Sequence, residues 1–436
     1  MLNGALFYSS LSLFFASALP LNHFGIKVDI NGNDFFSEPY LMRGVRLPQN
    51  DRDIEILINR ILDRYNDAGF PFCRVQPRFS EAPDSAGRLW LTIEEGPRVR
   101  IVDYIFHIQG KTDPLTLKKF ARCPKDQFFS RRELNRTKRR IAQKGLFEWI
   151  DDRVVQRDDD YFLRVDMKDN PSDFLVAGGS LAQTDAYFFG TLTSRNLLGT
   201  LRELQAQYEY RKLFLLQYTD PIFIAPLELK IDFSLLTYDR NRLVHLGGRL
   251  TAPVGDDFWI SIMSGREMVA YADSSSSGYQ NNLVGIGLGF HHDTGMVKTD
   301  QEINVEYLFR TAGRLVIRYD GQFELYRLFI KPHYWRVQTD RLEFFDYFRL
   351  GGAKTIRGYL EEEFVTPEIL WANCEFKRFF CYPLFDFAYT EGRFFYAYGL
   401  GLNARTSLAE ATLAFAWPRG GDWRDGKVHF LIEKGF

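Results

Sequence analysis

Residues 172–436 are a succession of short segments in which apolar and polar residues alternate. The alternation is clear in residues 202–211, 229–235 and 302–309. A period of two residues places apolar side chains on one face of a β-strand and polar side chains on the other. Almost no helical spacing interrupts these segments, so the pattern predicts a long series of strands joined by short turns.

Such a series fits either a closed barrel in a lipid bilayer or a soluble sandwich of two sheets. We favour the barrel, because the alternation continues for 265 residues and the polar face is rich in Glu, Gln, Arg and Tyr, as a water-filled interior allows. We count sixteen strands, eleven before Asp340 and five after Pro367. The predicted fold class is therefore a transmembrane antiparallel β-barrel of sixteen strands, an even number that is typical of single-chain bacterial barrels.

The preceding residues show two rounds of mixed helical and strand spacing. Residues 22–98 predict a strand, a helix whose apolar stripe runs from Ile54 to Tyr65, and two further strands. Residues 99–170 repeat this plan, and Ser130 with Glu133 forms the capping box of a helix. We therefore predict two small α+β domains, residues 22–98 and 99–170, in front of a barrel domain of residues 172–436.

The chain starts with an apolar segment, residues 5–21, that contains the small-x-small sequence Ala16-Ser17-Ala18. This pattern predicts a secretory signal peptide of residues 1–18, cut after Ala18. No Lys or Arg precedes the apolar segment, and a short membrane anchor is the alternative. No later segment has the ~20 consecutive apolar residues of a spanning helix, so a membrane location requires a barrel.

Composition narrows the classes of function. Aromatic residues make up 16% of the chain, with 40 Phe and 22 Tyr, and membrane barrels need aromatic girdles at both interfaces. A net charge of −1 gives no electrostatic reason to expect a nucleic-acid partner. The four Cys fit no zinc spacing, and we interpret His291-His292-Asp293 as a solvated turn rather than a metal site. We find no enzyme motif and predict no catalysis, cofactor or metal.

The longest interruption between predicted strands, residues 340–366, contains a glycine-rich motif. Its candidate residues are Gly351, Gly352, Ile356, Arg357, Gly358 and Tyr359. Arg357 has apolar neighbours, so a buried guanidinium would need a carboxylate partner. Asp386 lies between Phe385 and Phe387 on a predicted strand, which directs Asp386 to the lumen if the two rings face lipid. We predict a loop that folds inward and is anchored by Arg357 to Asp386; an Arg in an exposed glycine turn is the alternative.

Residues 350–352, Leu-Gly-Gly, followed by residues 356–359, Ile-Arg-Gly-Tyr, resemble the signature of the sixth extracellular loop in the BamA/TamA superfamily of bacterial surface antigen barrels. The resemblance implies that this loop enters the lumen and that Arg357 pairs with Asp386 on a strand of the pattern Phe-x-Asp-x-Gly. This chain departs from the pattern at two positions of that strand, Leu384 and Ala388.

Other stretches resemble the same superfamily in the same order. Residues 195–199 resemble its second strand and the following turn, residues 217–221 its fourth strand, and the two α+β domains its POTRA domains. The last strand resembles the β-signal by which barrels are recognised for assembly; an ordinary last strand of a soluble sheet is the alternative. The apolar face of this strand consists of Val428, Phe430, Ile432 and Phe436.

The resemblance implies an outer-membrane protein, with POTRA domains in the periplasm, that inserts or translocates β-barrel or autotransporter-type clients. The clients would pass a lateral seam between the first and last barrel strands, where Gly178, Gly179 and Gly435 would weaken or bend the pairing. Expected partners are unfolded outer-membrane or secreted polypeptides, outer-membrane lipid and periplasmic or lipoprotein accessory factors, and no nucleic acid. The alternatives are a two-partner secretion transporter, which passes a secreted partner through the lumen, and a passive pore or structural surface protein.

Overall fold

The computed structural model describes residues 26–82, 85–181, 186–255, 257–272, 278–310, 313–406 and 409–435. The predicted signal peptide, residues 1–18, and Phe436 lie outside these residues. The chain divides into two compact units, one made of the residues up to Ile105, Pro124–Arg136 and Asp152–Arg164, the other of Phe106–Cys123, Thr137–Asp151 and the residues from Val165 onward. The domain boundaries at residues 98–99 and 170–172 remain predictions. No described helix is long and apolar enough to cross a membrane.

The first elements form a small α+β fold. They are β1 (Lys27–Asn31), α1 (Glu38–Met42), α2 (Asp51–Asp67), β2 (Arg74–Ala82) and β3 (Ser85–Glu94). The sheet order is β1-β3-β2, with β1 parallel and β2 antiparallel to β3. The side chain of Asn50 caps α2 by accepting a hydrogen bond from Asp53 N. The apolar stripe of α2 is buried in this core, with Leu57, Ile61 and Tyr65 at most 1% exposed.

Tyr65 and Cys73 lie near the carboxylate of Glu95 in the same core. Tyr65 Oη donates a hydrogen bond of 2.8 Å to Glu95 Oε1. Burial, and after it the negative charge of Glu95, raises the pKa of the Cys73 thiol to about 12. Cys73 is therefore protonated at neutral pH and packs as a small apolar side chain. None of the four cysteines, Cys73, Cys123, Cys374 and Cys381, forms a disulfide.

The next elements form a second small sheet with helices. They are β4 (Arg100–Gln109), α3 (Pro114–Ala121), β5 (Gln127–Phe128), α4 (Arg131–Gln143), β6 (Phe147–Arg157) and β7 (Asp160–Asp169), with the sheet order β5-β4-β7-β6. Asp113 caps α3 by accepting a hydrogen bond of 2.8 Å from Thr116 N, and Pro114 lies in the first turn, where no N–H is required. The sequence does not predict α1 and β5, because segments of five and two residues carry no periodic signal.

Sixteen antiparallel strands then close into a barrel. They are β8 (Asp173–Leu181), β9 (Ala186–Leu197), β10 (Arg202–Glu209), β11 (Leu213–Ile224), β12 (Leu227–Tyr238), β13 (Asn241–Pro253), β14 (Phe258–Ala270), β15 (Tyr279–Asp293), β16 (Val297–Phe309), β17 (Arg314–Leu325), β18 (Leu328–Thr339), β21 (Glu368–Phe376), β22 (Cys381–Thr390), β23 (Arg393–Arg405), β24 (Glu410–Pro418) and β25 (Lys427–Gly435). Two short strands, β19 (Phe348–Leu350) and β20 (Phe364–Thr366), pair with each other between β18 and β21. Eleven barrel strands precede Asp340 and five follow Pro367, which confirms the predicted fold class and strand count.

The segment between β18 and β21, residues 340–366, folds into the barrel and is called the inner loop below. It forms hydrogen bonds with side chains on several barrel strands, among them Ser180, Glu209, Asp386 and His429. These side chains point inward, so their neighbours along each strand point outward. Leu181, Tyr208 and Phe385 on the outer face are between 40% and 55% exposed. The apolar residues of the alternating pattern therefore cover the outside of the barrel.

The turn after β4 packs against the turn after β9 through buried hydrogen bonds. Asn196 Nδ2 donates to Thr112 Oγ1 at 2.7 Å, and Asn196 Oδ1 accepts from Leu201 N at 2.8 Å. Asn196 is 1% exposed and Thr112 is 4% exposed. A Cβ on Gly199 would lie 2.0 Å from Lys111 O, so only glycine permits this close approach.

Candidate functional site

Arg357 and Asp386 form a buried ion pair with two parallel contacts. Arg357 Nε donates to Asp386 Oδ2 at 2.9 Å, and Arg357 Nη2 donates to Oδ1 at 2.7 Å. The backbone N–H of Arg357 adds a hydrogen bond of 2.8 Å to Oδ2. The Asp386 side chain is 0% exposed and the Arg357 side chain is 10% exposed. The predicted partners are therefore brought together, with the two-point geometry that the guanidinium group favours.

Glu375 on β21 is a second partner of Arg357. Arg357 Nη1 donates to Glu375 Oε1, and Lys377 Nζ lies 2.7 Å from Glu375 Oε2. Asn373, the inward neighbour of Glu375, donates from Nδ2 to Thr355 O at 2.5 Å. Sequence reasoning missed Glu375 and Asn373, although two polar residues spaced by two on a predicted strand indicate a shared inward face.

The glycines of the motif occupy backbone positions that a side chain cannot share. Gly351, Gly352 and Gly358 have φ values of +129°, +81° and +87°. A Cβ on Gly352 would lie 1.8 Å from Glu361 Oε1, and a Cβ on Gly358 would lie 2.8 Å from Ala397 Cβ. Both the left-handed conformation and the close packing therefore require glycine.

The other motif residues pack in an apolar cluster inside the barrel. Ile356 is 0% exposed, and Tyr359 Oη donates to Tyr396 O at 2.9 Å. The buried members of the cluster are Leu350, Ile356, Tyr359, Phe364, Ile369, Trp371, Ala388 and Ala397. The inner loop excludes water from the wall of β21 to β23, so inward apolar residues are buried there.

The two departures from the Phe-x-Asp-x-Gly pattern are both packed positions. Ala388 is 0% exposed within the apolar cluster, and Leu384 is 3% exposed against Ala414 and Ala416. Neither departure disturbs the contacts of Asp386, which lies between them on the inward face of β22.

A second buried charge cluster holds the start of the inner loop. Asp346 Oδ1 accepts from Arg314 Nη1 at 2.8 Å, and Asp346 Oδ2 accepts from Arg310 Nη2 at 2.6 Å. Arg314 Nη2 also donates to Glu267 Oε2 at 3.0 Å. The Asp346 side chain is 0% exposed. Sequence reasoning did not find this cluster, because its members are far apart in the chain and belong to no motif.

The seam consists of β8 and β25, which pair in antiparallel register from Val428 with Leu181 to Gly435 with Phe174. Gly178 and Gly179 lie in the middle of β8. A Cβ on Gly178 would lie 2.6 Å from Phe430 O, so glycine at this position permits a close approach of the two strands.

The outer face of β25 carries the residues predicted for the terminal strand. Val428, Phe430 and Ile432 alternate with the inward His429, and Ile432 is 47% exposed. The Phe430 ring lies 6.2 Å from the ring of Phe188 on β9. Phe436, the remaining predicted residue, lies outside the described residues.

Metal ligation has no candidate in the part of the chain that the structure describes, where no group of three or more His, Cys, Asp or Glu could hold an ion. His291 and His292 lie at the end of β15. His291 Nδ1 pairs with Asp300, and the His292 ring stacks on Phe290 at 6.0 Å.

Three solved structures are similar to this chain over nearly its whole length. BamA from Haemophilus ducreyi lacking POTRA domains 1-3 has a TM-score of 0.59 and 13% identity, and the match covers 96% of this chain and 100% of that one. CdiB from Escherichia coli has a TM-score of 0.59 and 13% identity, covering 98% and 94%. CdiB from Acinetobacter baumannii has a TM-score of 0.58 and 12% identity, covering 95% and 90%. No protein-family model matches the chain, and no curated protein matches it.

These similarities confirm, at the level of the fold, the resemblance that the loop motif indicates. Identities of 12–13% carry no information about which polypeptides or lipids the protein binds. This chain, with its closed barrel of sixteen strands, therefore has the fold of BamA and CdiB.

Proposed function

We propose that this protein is an outer-membrane assembly factor that inserts or translocates β-barrel or autotransporter-type polypeptides through the seam between β8 and β25. The observation that carries the proposal is an inner loop bound to Asp386 through Arg357 inside a barrel whose first and last strands meet. The small α+β domains lie in the periplasm. The partners are unfolded outer-membrane or secreted polypeptides, outer-membrane lipid and periplasmic or lipoprotein accessory factors.

The seam supplies the physical basis of insertion. Backbone N–H and C=O groups of β8 and β25 bond to each other along the register from Val428 to Gly435. When these strands separate, each edge presents unpaired groups that bind an incoming strand. Water does not replace the lost bonds in the hydrocarbon layer, so a client strand that pairs with the edge is strongly favoured over an open edge.

A two-partner secretion transporter is the second candidate, because the similarity to CdiB equals the similarity to BamA, with a TM-score of 0.59 in each case. Such a transporter passes its partner through the lumen, and the inner loop would have to leave the apolar cluster around Ile356 and Trp371. A passive pore is less favoured, because the inner loop occupies the same space in which ions would move.

A reversible disulfide across the seam tests the proposal. In a variant without the four native cysteines, Ala177→Cys and Ile432→Cys place two thiols at directly paired positions of β8 and β25. The matched control is Leu235→Cys with Val244→Cys, a paired position of β12 and β13. We expect oxidation of the seam pair to stop insertion of a client barrel, reduction to restore it, and oxidation of the control pair to change nothing.

Each other outcome points to a different function. Unchanged client insertion with the seam oxidised contradicts passage through the seam. Continued secretion of a soluble partner through the oxidised barrel supports the transporter. Ion conductance, together with an unchanged outer-membrane proteome after depletion of the protein, supports the passive pore.

A further inference from the structure

The inner loop contacts both strands of the seam at the same level. The backbone N–H of Gly358 donates to His429 Nε2 on β25 at 3.2 Å. Ser180 Oγ on β8 donates to Glu361 Oε1 at 3.1 Å. Ser180 and His429 are direct partners in the β8–β25 register. The inner loop therefore bridges the seam from inside, within four residues of its own chain.

Two lysine contacts extend the attachment on the side of the first strands. Lys354 Nζ in the inner loop lies 2.5 Å from Glu209 Oε1 at the end of β10. Lys212 Nζ, in the turn after β10, lies 2.7 Å from Glu362 Oε1 in the inner loop. The lysine side chains are 30% and 19% exposed, and their partners Glu209 and Glu362 are 7% and 26% exposed. An ammonium group binds a carboxylate as a point charge and cannot form the two parallel contacts of a guanidinium group.

The attachment on the side of the last strands is of a different kind. Arg357 binds Asp386 through two parallel contacts, and the Asp386 side chain is 0% exposed. Ile356 and Ala388 are buried together in the apolar cluster. The inner loop also continues directly into β21, on the same side. Breaking this attachment would leave a buried charge without its partner and expose apolar surface.

We infer that the seam opens only when the inner loop releases β8 and β10, and that the loop then stays attached to β21 to β25. Ser180, Glu209 and Glu361 are positioning residues that hold the seam closed through the inner loop. Ala353 N, which donates to Glu361 Oε1 at 2.9 Å, and Gly352, which leaves room for this carboxylate, hold Glu361 in place. The inference rests on the proposed function, since an open seam is what a client strand would use.

Two chemical bridges distinguish the two attachments. In a full-length variant without native cysteines, Ser180→Cys with Glu361→Cys is joined by a short bis-methanethiosulfonate reagent, which bridges the loop to β8. Thr355→Cys with Asn373→Cys, joined by the same reagent, bridges the loop to β21, where the two residues are already in contact. Hydrogen exchange of the β25 amides that pair with β8 is then measured in lipid nanodiscs, with no client present.

We expect the bridge to β8 to slow exchange in β25 about tenfold or more, and the bridge to β21 to change it by less than about twofold. Reduction should reverse the first effect. Equal slowing by both bridges, slowing by the β21 bridge alone, or no slowing by either would overturn the inference. Because no client takes part, a failed insertion assay with a positive exchange result counts against the proposed function and not against this mechanism.

Charge variants give a second measurement that needs no bridge. Lys354→Met with Glu361→Gln removes the Lys354 contact to Glu209 on β10 and weakens the contact to β8. The matched control is Lys377→Met, which removes the Glu375 contact in the turn after β21 and none of the loop's contacts to β8 and β10. Exchange in β25 should accelerate about tenfold, equivalent to about 1.4 kcal/mol, in the first variant and remain unchanged in the second. Unchanged exchange in the folded first variant contradicts the inference.

Discussion

Arg357 carries a permanent charge on a guanidinium group that is almost completely removed from water. The protein replaces the lost water with Asp386, which accepts two side-chain contacts, and with Glu375, which accepts a third. A lysine could not form the two parallel contacts, because its ammonium group is a single point of charge. At the scale of single residues, the inner loop therefore depends on the shape of the cation as well as on its charge.

We expect Arg357→Ala to lower the free energy of unfolding by about 3–5 kcal/mol, because the buried carboxylate of Asp386 then lacks its cation. Urea unfolding of the detergent-solubilised barrel measures this change. The control is Arg405→Ala, which removes a side chain that is 83% exposed and 3.9 Å from Glu410. This control should change the free energy by less than about 0.5 kcal/mol. Equal effects of the two substitutions would show that burial of the Arg357 pair has no special role.

At the scale of secondary-structure elements, the contact between the turn after β9 and the turn after β4 depends on a few specific residues. Asn196 satisfies the backbone N–H of Leu201 and the hydroxyl of Thr112, and Gly199 lets the two turns touch. Asn196 and Gly199 lie in residues 195–199, the stretch that resembles the superfamily. Their physical role follows from the contact between two turns that are distant in the chain.

We expect Asn196→Ala to lower the free energy of unfolding by about 1–3 kcal/mol, because it leaves the buried N–H of Leu201 without its acceptor. Hydrogen exchange should also accelerate in α3 and in residues 198–201. Asn241→Ala is the control, since Asn241 Oδ1 accepts from Ala272 N at an exposed site. Similar exchange in α3 for both variants would contradict a role of the Asn196 network in holding this contact.

At the scale of the whole molecule, the inner loop fills part of the barrel lumen. Apolar side chains from the inner loop and from β21 to β23 pack together, while Asp346 holds the start of the same loop through Arg310 and Arg314. The loop is thus attached at two separate buried charge clusters. Ion flow through the barrel should report directly on whether the loop is seated.

We expect Gly358→Ala to displace the loop and to increase single-channel conductance in planar bilayers, because the new Cβ would lie 2.8 Å from Ala397 Cβ. Gly392→Ala is the matched control, since Gly392 has a similar φ of +73° and no neighbouring atom within 4 Å. The two variants share the backbone strain and differ in crowding. An increase in conductance that is equal in both would attribute the effect to backbone strain alone.

Much of this architecture follows from local pattern. The period of two along residues 172–436 predicts the sixteen strands and which side chains face outward, because strand geometry alternates side chains regardless of what surrounds them. The pairing of Arg357 with Asp386 could also be anticipated, from strand parity and from the resemblance of the loop motif. Both features can be predicted without knowing which strands pair when the barrel closes.

The remaining features arise only when the barrel closes around the loop. They are the contact of Arg357 with Glu375, the Asp346 cluster, the apolar cluster and the bridge from Ser180 to His429. The bridge joins the first and last barrel strands, at residues 249 positions apart in the chain. A sequence period records which face a side chain occupies, and contains no information about which distant face it will meet. Closure of the barrel determines which side chains come into contact, including those that hold β8 and β25 together.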